Sequence, residues 1–137
     1  MDIIQLEDDS NIYGVAIVDE SKKWVYVMEG PIDSLFIPNT IAITGGSLDL
    51  DSVPYKDKRI WVLDNENRHT DTIKRMNKLI ASGERVCFWD EAPWKSKDIN
   101  DMVAKEGADP KDIEDYIMHN WATGLMAQLR MTKFCKI

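Results

Sequence analysis

Three short runs in this chain end in the same way: WVYVMEG (24–30), RIWVLDNE (59–66) and RVCFWDE (85–91) each pass from an apolar stretch straight into an acidic residue. Runs that are apolar throughout have no solvent-facing side. Interleaved with helical patterns, such runs fit a parallel sheet covered on both faces. The pattern predicts an α/β domain: a mostly parallel sheet of about four strands flanked by helices, with further helices at the C-terminus.

The remaining segments fill in that plan. Residues 1–12 are polar and acidic and read as a flexible lead-in, leaving 13–137 as one domain. A chain of 137 residues, 44% hydrophobic, is long enough for a single core and too short for two. IYGVAIV (12–18) and WVYVM, joined by the polar DESKK, predict a hairpin. PIDSLF (31–36) carries the proline that favours a first helical turn. TIAIT (40–44) reads as a strand closed by a turn at Gly45 and Gly46, and SLDLDSVPYKD (47–57) as a connection with a short helical turn. From His69 to Ser82, Ile73, Met76 and Ile80 recur at helical spacing, and Gly83 offers a stop. On that helix Lys74, Arg75 and Lys78 read as an exposed face. DINDMVAKEG (98–107) predicts a capped helix ending at Gly107. Residues 109–134 hold one or two more helices, with Ile117, Trp121, Leu125 and Leu129 as an apolar, core-facing stripe.

Several classes are disfavoured at this stage. No apolar segment is long enough to span a bilayer, and the N-terminus lacks the basic start of a secretory signal, so the expectation is a cytoplasmic protein with no membrane partner. Cys87 and Cys135 match no metal spacing and read as reduced; no zinc is expected in this chain. A net charge of −7 argues against unaided binding of nucleic acid, which draws on Lys and Arg to neutralise phosphates.

In a parallel sheet, Glu29, Asp64 and Asp90 would emerge at one edge, the edge where open α/β sheets bind ligands. Glu66 and Asp98 lie within reach of the same crevice. Gathered carboxylates repel one another unless a positive charge compensates. A hard divalent cation such as Mg²⁺ does this. A solvated acidic rim accounts for the same residues, and the pattern alone leaves both readings open.

The ordered motifs MEGPID (28–33), LDNE (63–66) and KDIND (97–101) resemble those of the Toprim domain of primases, topoisomerases and certain nucleases. That family has a strand ending in Glu-Gly with an Asp four residues after the Glu, then Asp-x-Asp, then a Lys-Asp-Pro-Asp-like segment before a helix. Glu29, Gly30, Asp33, Asp64, Lys97 and Asp98 match, whereas Glu66 and Asn100 stand where the family commonly has Asp. From about Tyr13 onward the chain is also closely similar to the catalytic C-terminal part of the primases of T-even-type bacteriophages. The zinc-binding module and basic subdomain of those larger enzymes are not seen in it.

The resemblance implies a Rossmann-like Toprim fold and metal-dependent synthesis of short RNA primers on single-stranded DNA. It implies Mg²⁺ or Mn²⁺ held by Glu29, Asp64, Glu66 and Asp98, with Glu29, Asp64 and Glu66 catalytic. Ribonucleoside triphosphates, a single-stranded DNA template and a replicative helicase are the implied partners. Arg68, Lys95 and Lys97 flank the motifs and are candidates for binding phosphate or nucleic acid. Gly30, Asp33 and Asn100 are supporting residues, Asp33 by stabilising a helix N-terminus. Trp89 and Trp94 are expected in the core, and His69 and His119 on the surface. The alternatives are a Toprim-type nuclease, or a non-catalytic docking module that uses the tail IMHNWATGLMAQLRM (117–131).

Overall fold

The computed structural model describes residues 12–13, 17–44 and 49–136. Four strands form the parallel centre of the sheet: β2 (Val25–Met28), β3 (Thr40–Ile43), β4 (Arg59–Val62) and β5 (Arg85–Cys87). Every residue of β2, β3 and β4 is buried, as the apolar runs require. Two short strands, β1 (Ile12–Tyr13) and β6 (Trp121–Ala122), pair antiparallel at the edges and complete the order β1-β3-β2-β4-β5-β6. The expected α/β architecture is therefore present.

The helices are α1 (Pro31–Ser34), α2 (Thr70–Ala81), α3 (Ile99–Glu106), α4 (Pro110–His119) and α5 (Gly124–Lys136). Local chemistry sets their ends. Asp98 caps α3 by accepting the N–H of Asp101 at 2.8 Å, and Gly107 ends it at φ 68°. Pro110 opens α4 behind the capping Asp109. Asn39, at φ 59°, joins the starts of two strands: its amide donates to the carbonyl of Trp24 at 2.7 Å, and its backbone carbonyl accepts from Tyr26.

Four expectations need correction or placement. The hairpin of residues 12–18 with β2 does not form; β2 already has parallel partners on both sides, so β1 joins the outer edge of β3 instead. Ile12, assigned to the lead-in, is buried and begins that strand. The rest of the lead-in and the turn at Gly45 and Gly46 lie outside the described residues. The apolar stripe of the tail is also broken, because β6 interrupts it and Gly124 turns the chain at φ 60°. Ile117 is buried, but Leu125 and Leu129 are exposed, and α5 packs through Ala127, Met131 and Phe134.

At the amino ends of β4 and β5, Arg59 and Glu84 form a buried bidentate pair, with both nitrogen–oxygen distances 2.7 Å. Arg59 also donates to the carbonyls of Val53 and Leu50, and the Trp61 indole donates to Glu84. Burial pushes the Glu84 carboxyl up, but the bonds from Arg59 and Trp61 outweigh it and hold the group below its ordinary value. Glu84→Gln should cost about 3–5 kcal/mol in urea melts at pH 7, since it leaves a buried guanidinium without its counter-charge. The Glu84 contribution is present above the group's unfolded pKa and is lost as the pH falls through its lowered folded value.

Candidate active site

The sheet order has one switch point. From β2 the chain runs through α1 to β3 on one side, and from β4 through α2 to β5 on the other. Ligands of open α/β sheets sit in the crevice beyond the carboxyl ends of such strands. Glu29 and Gly30 follow β2 directly, and Asp64, Asn65 and Glu66 follow β4 after Leu63, so the two motifs meet there.

Gly30 has an ordinary φ of −116°, so its backbone angle does not demand glycine. Space is tight there: a Cβ at this position would lie 3.1 Å from Oδ2 of Asp33. The other oxygen of Asp33 accepts the backbone N–H of Asn100 at 2.9 Å, in the first turn of α3. Asp33 thus faces the N-terminus of α3, where the helix dipole favours negative charge. Asn100 takes part through its backbone.

A second set of bonds carries the third motif to the crevice. The Asn65 N–H donates to the carbonyl of Lys97 at 2.6 Å, and its side-chain amide donates to that of Ser96 at 3.4 Å. Glu106, at the other end of α3, accepts the N–H groups of Lys95 and Ser96. These contacts set Lys97 and Asp98 beside Asp33 and Asp64, where the four line one small cavity. Lys95, Lys97 and Arg68 are exposed. Trp89 is buried, donates to the carbonyl of Leu63 and stacks on Tyr116, and Trp94 meets the same ring edge-on.

The electrostatics reflect the crowding. Burial, then a hydrogen bond shared with Glu66, then the charges of Asp33, Glu66 and Asp98 push the Asp64 carboxyl from its ordinary 3.8 up to about 7. Burial also raises Asp33, against the pull of the Asn100 N–H, with Asp98 and Asp101 adding to the rise. Glu29 is raised by burial, relieved by Arg75 and pushed up again by Glu66. Arg75 Nε lies 2.7 Å from Glu29 Oε2. Arg75 lies on the exposed face of α2, as its spacing predicts; its distance of eleven positions from Asp64 gives no local sign that α2 reaches back to the end of β2.

Asp90 follows the carboxyl end of β5, which is parallel to β4, but its side chain does not line the crevice. Its side chain is fully buried and bonded to Arg130 at 2.6 Å, with Lys133 at 3.6 Å. The segment after β5 is drawn toward α4 and β6 instead: Tyr116 donates to the carbonyl of Phe88, and the Phe88 N–H donates to Asn120.

The donor set fits a hard divalent cation, being all carboxylate oxygen with a charge crowding that a cation would relieve. Among the described residues, no three acidic, histidine or cysteine side chains are gathered closely enough to hold an ion by themselves. Asp64 and Glu66 are in mutual contact, and one or two carboxylates suffice for Mg²⁺ when water and substrate phosphates supply the rest.

Because the folded-state value of Asp64 lies above its unfolded one, its stabilising contribution is complete below about 3.8 and is lost as the pH rises through about 7. Asp64→Asn should therefore stabilise the metal-free protein, with a gain on the order of 2 kcal/mol larger at pH 8 than at pH 4 in chemical denaturation. Asp33→Ala should cost about 1 kcal/mol through loss of the bond to α3.

No family model matches the chain. It is similar to the DNA primase of Enterobacteria phage T4, at 63% identity over 128 residues that make up 93% of this chain and 37% of that protein. The chain thus spans little more than a third of the length of the curated relative it matches, and similarity of this extent marks it as a primase-related region.

Proposed function

We propose that this chain is the Toprim catalytic region of a phage DNA primase, which synthesises short RNA primers on single-stranded DNA from ribonucleoside triphosphates. The observation that carries the reading is the convergence of Glu29, Asp64, Glu66 and Asp98 at the sheet's switch point, with Asp64 raised to about 7 by burial and then by its acidic neighbours. Similarity to the T4 primase supports the reaction class.

Asp64 and Glu66 are the residues to hold Mg²⁺ or Mn²⁺, with Glu29 and Asp98 completing the site directly or through water. The bound ions would supply positive charge to the attacking and leaving oxygens of phosphoryl transfer. Glu29 lies at the mouth of β2, where its carboxylate can take the proton of a primer 3′-hydroxyl as that oxygen bonds to the α-phosphorus and pyrophosphate leaves. Lys97, Lys95 and Arg68 are exposed cations near the acidic motifs, suited to steadying phosphates. Glu66 carries one methylene more than the family's usual Asp, a difference that bears on the choice between Mg²⁺ and Mn²⁺. The net charge of −7 makes the template grip a task for other parts of a larger primase and for the replicative helicase.

A second reading draws on one observation: Leu125, Met126 and Leu129 are exposed together on α5. They favour a docking role toward the helicase, without chemistry in this chain.

The test is incorporation of labelled ribonucleotides on single-stranded DNA, by the chain alone and together with a zinc-module fragment and the helicase. Extended products support the primase, shortened nucleic acid a nuclease, and helicase binding without either product the docking role. In the active assembly, Glu29→Gln should lower primer synthesis by at least about a hundredfold while template binding holds. Mn²⁺ affinity should fall in Asp64→Asn and stay unchanged in Asp109→Asn, whose side chain caps α4. Equal titration curves for those two variants remove the basis of the site.

A further inference from the structure

In the acidic crevice, Glu29 is paired with an arginine. Arg75 arises from α2, the helix that follows β4, yet its Nε meets the carboxylate at the end of β2 at 2.7 Å. The contact crosses the switch point. The contact is charge-assisted, and no other ion pair or ring contact of Arg75 is found among the described residues. Arg75 is 45% exposed and Glu29 27%, so the pair is solvated and easily exchanged.

Glu29 is electrostatically part of the acidic group. It feels Glu66, and Glu66 shares a hydrogen bond with Asp64. Asp33 and Asp98 are each engaged by a backbone N–H of α3, and among the described residues no three acidic side chains are gathered closely enough to hold an ion.

We infer that Arg75 and a divalent cation are alternative partners of Glu29, so that Arg75 is the built-in counter-charge against which a cation must compete. This rests on the reading of the crevice as a metal site. A guanidinium and a divalent ion on one small carboxylate repel each other, and both draw on the same oxygens. Arginine stays protonated at all working pH values, so the competition is set by position and not by titration. Arg75 is thus a positioning residue that weakens cation binding at Glu29 and leaves Asp64 and Glu66 as the first points of attachment.

The experiment is Mn²⁺ titration followed by the electron paramagnetic resonance signal of the free ion, at low salt, on wild-type chain, Arg75→Gln, Glu29→Gln, the double variant and Asp64→Asn. Glutamine is a good helix former and the pair is half-exposed, so melting temperatures should agree. Arg75→Gln should bind Mn²⁺ about threefold to fivefold more tightly, the scale on which a solvated ion pair competes. Glu29→Gln should bind more weakly, and adding Arg75→Gln to it should restore nothing. Unchanged or weakened binding in Arg75→Gln overturns the inference. So does a gain that persists in the double variant, which would reflect only the general field of one lost positive charge. Failure of the metal-site reading looks different: wild type takes up no Mn²⁺, or Asp64→Asn binds it as wild type does, and the inference falls with it.

Discussion

The arrangement depends on β2 being hydrogen-bonded to a parallel strand on each side. Met28 lies opposite Ala42 of β3 and Val62 of β4, so the chain leaves β2 and β4 at the same level and on the same edge. The connections after these two strands run in opposite directions, which opens a crevice between them. Glu29 follows one strand and Asp64 the other. Acidic residues 35 positions apart in the chain become neighbours in one field because two registers coincide.

The crevice is costly to assemble, since carboxylates set side by side and partly withdrawn from water raise one another's pKa. The fold distributes that cost among different partners. Asp33 and Asp98 face N–H groups at the start of α3, where the helix dipole favours negative charge. Glu29 faces Arg75, while Asp64 and Glu66 are left to share a hydrogen bond. Those two acids stand just past the end of β4. At the opposite end of the same strand, Arg59 and Glu84 are buried but completely paired. One strand thus begins at a neutralised, buried pair and ends beside carboxylates that share a hydrogen bond.

Much of this was legible along the chain, wherever the determining interactions are local. The buried strands were visible because a strand covered on both faces has no place for alternation. The ends of α2 and α3 were visible because caps and positive-φ glycines act within a few residues, as at Asp98, Gly83 and Gly107. The crevice acids Glu29, Asp64 and Asp98 were picked out for the same reason: a residue that directly follows a strand or opens a helix has its location set by that element.

What only the tertiary structure decided is the pairing of distant segments. Asp90 has the same local context as Glu29, yet Arg130 and Tyr116 belong to elements that draw its loop toward α4 and α5. Arg75 has the local context of a surface helix, but the position of α2 beside the switch point directs it to Glu29. The two-residue strands β1 and β6 have no periodicity of their own and exist because β3 and β5 present free edges. By itself, the sequence determined the elements and the residues at their ends, since those follow from hydrophobic period and capping over a few positions. Strand order determined which of those ends share a charge field, because Coulomb interaction depends on distance in space and carries no trace of separation along the chain.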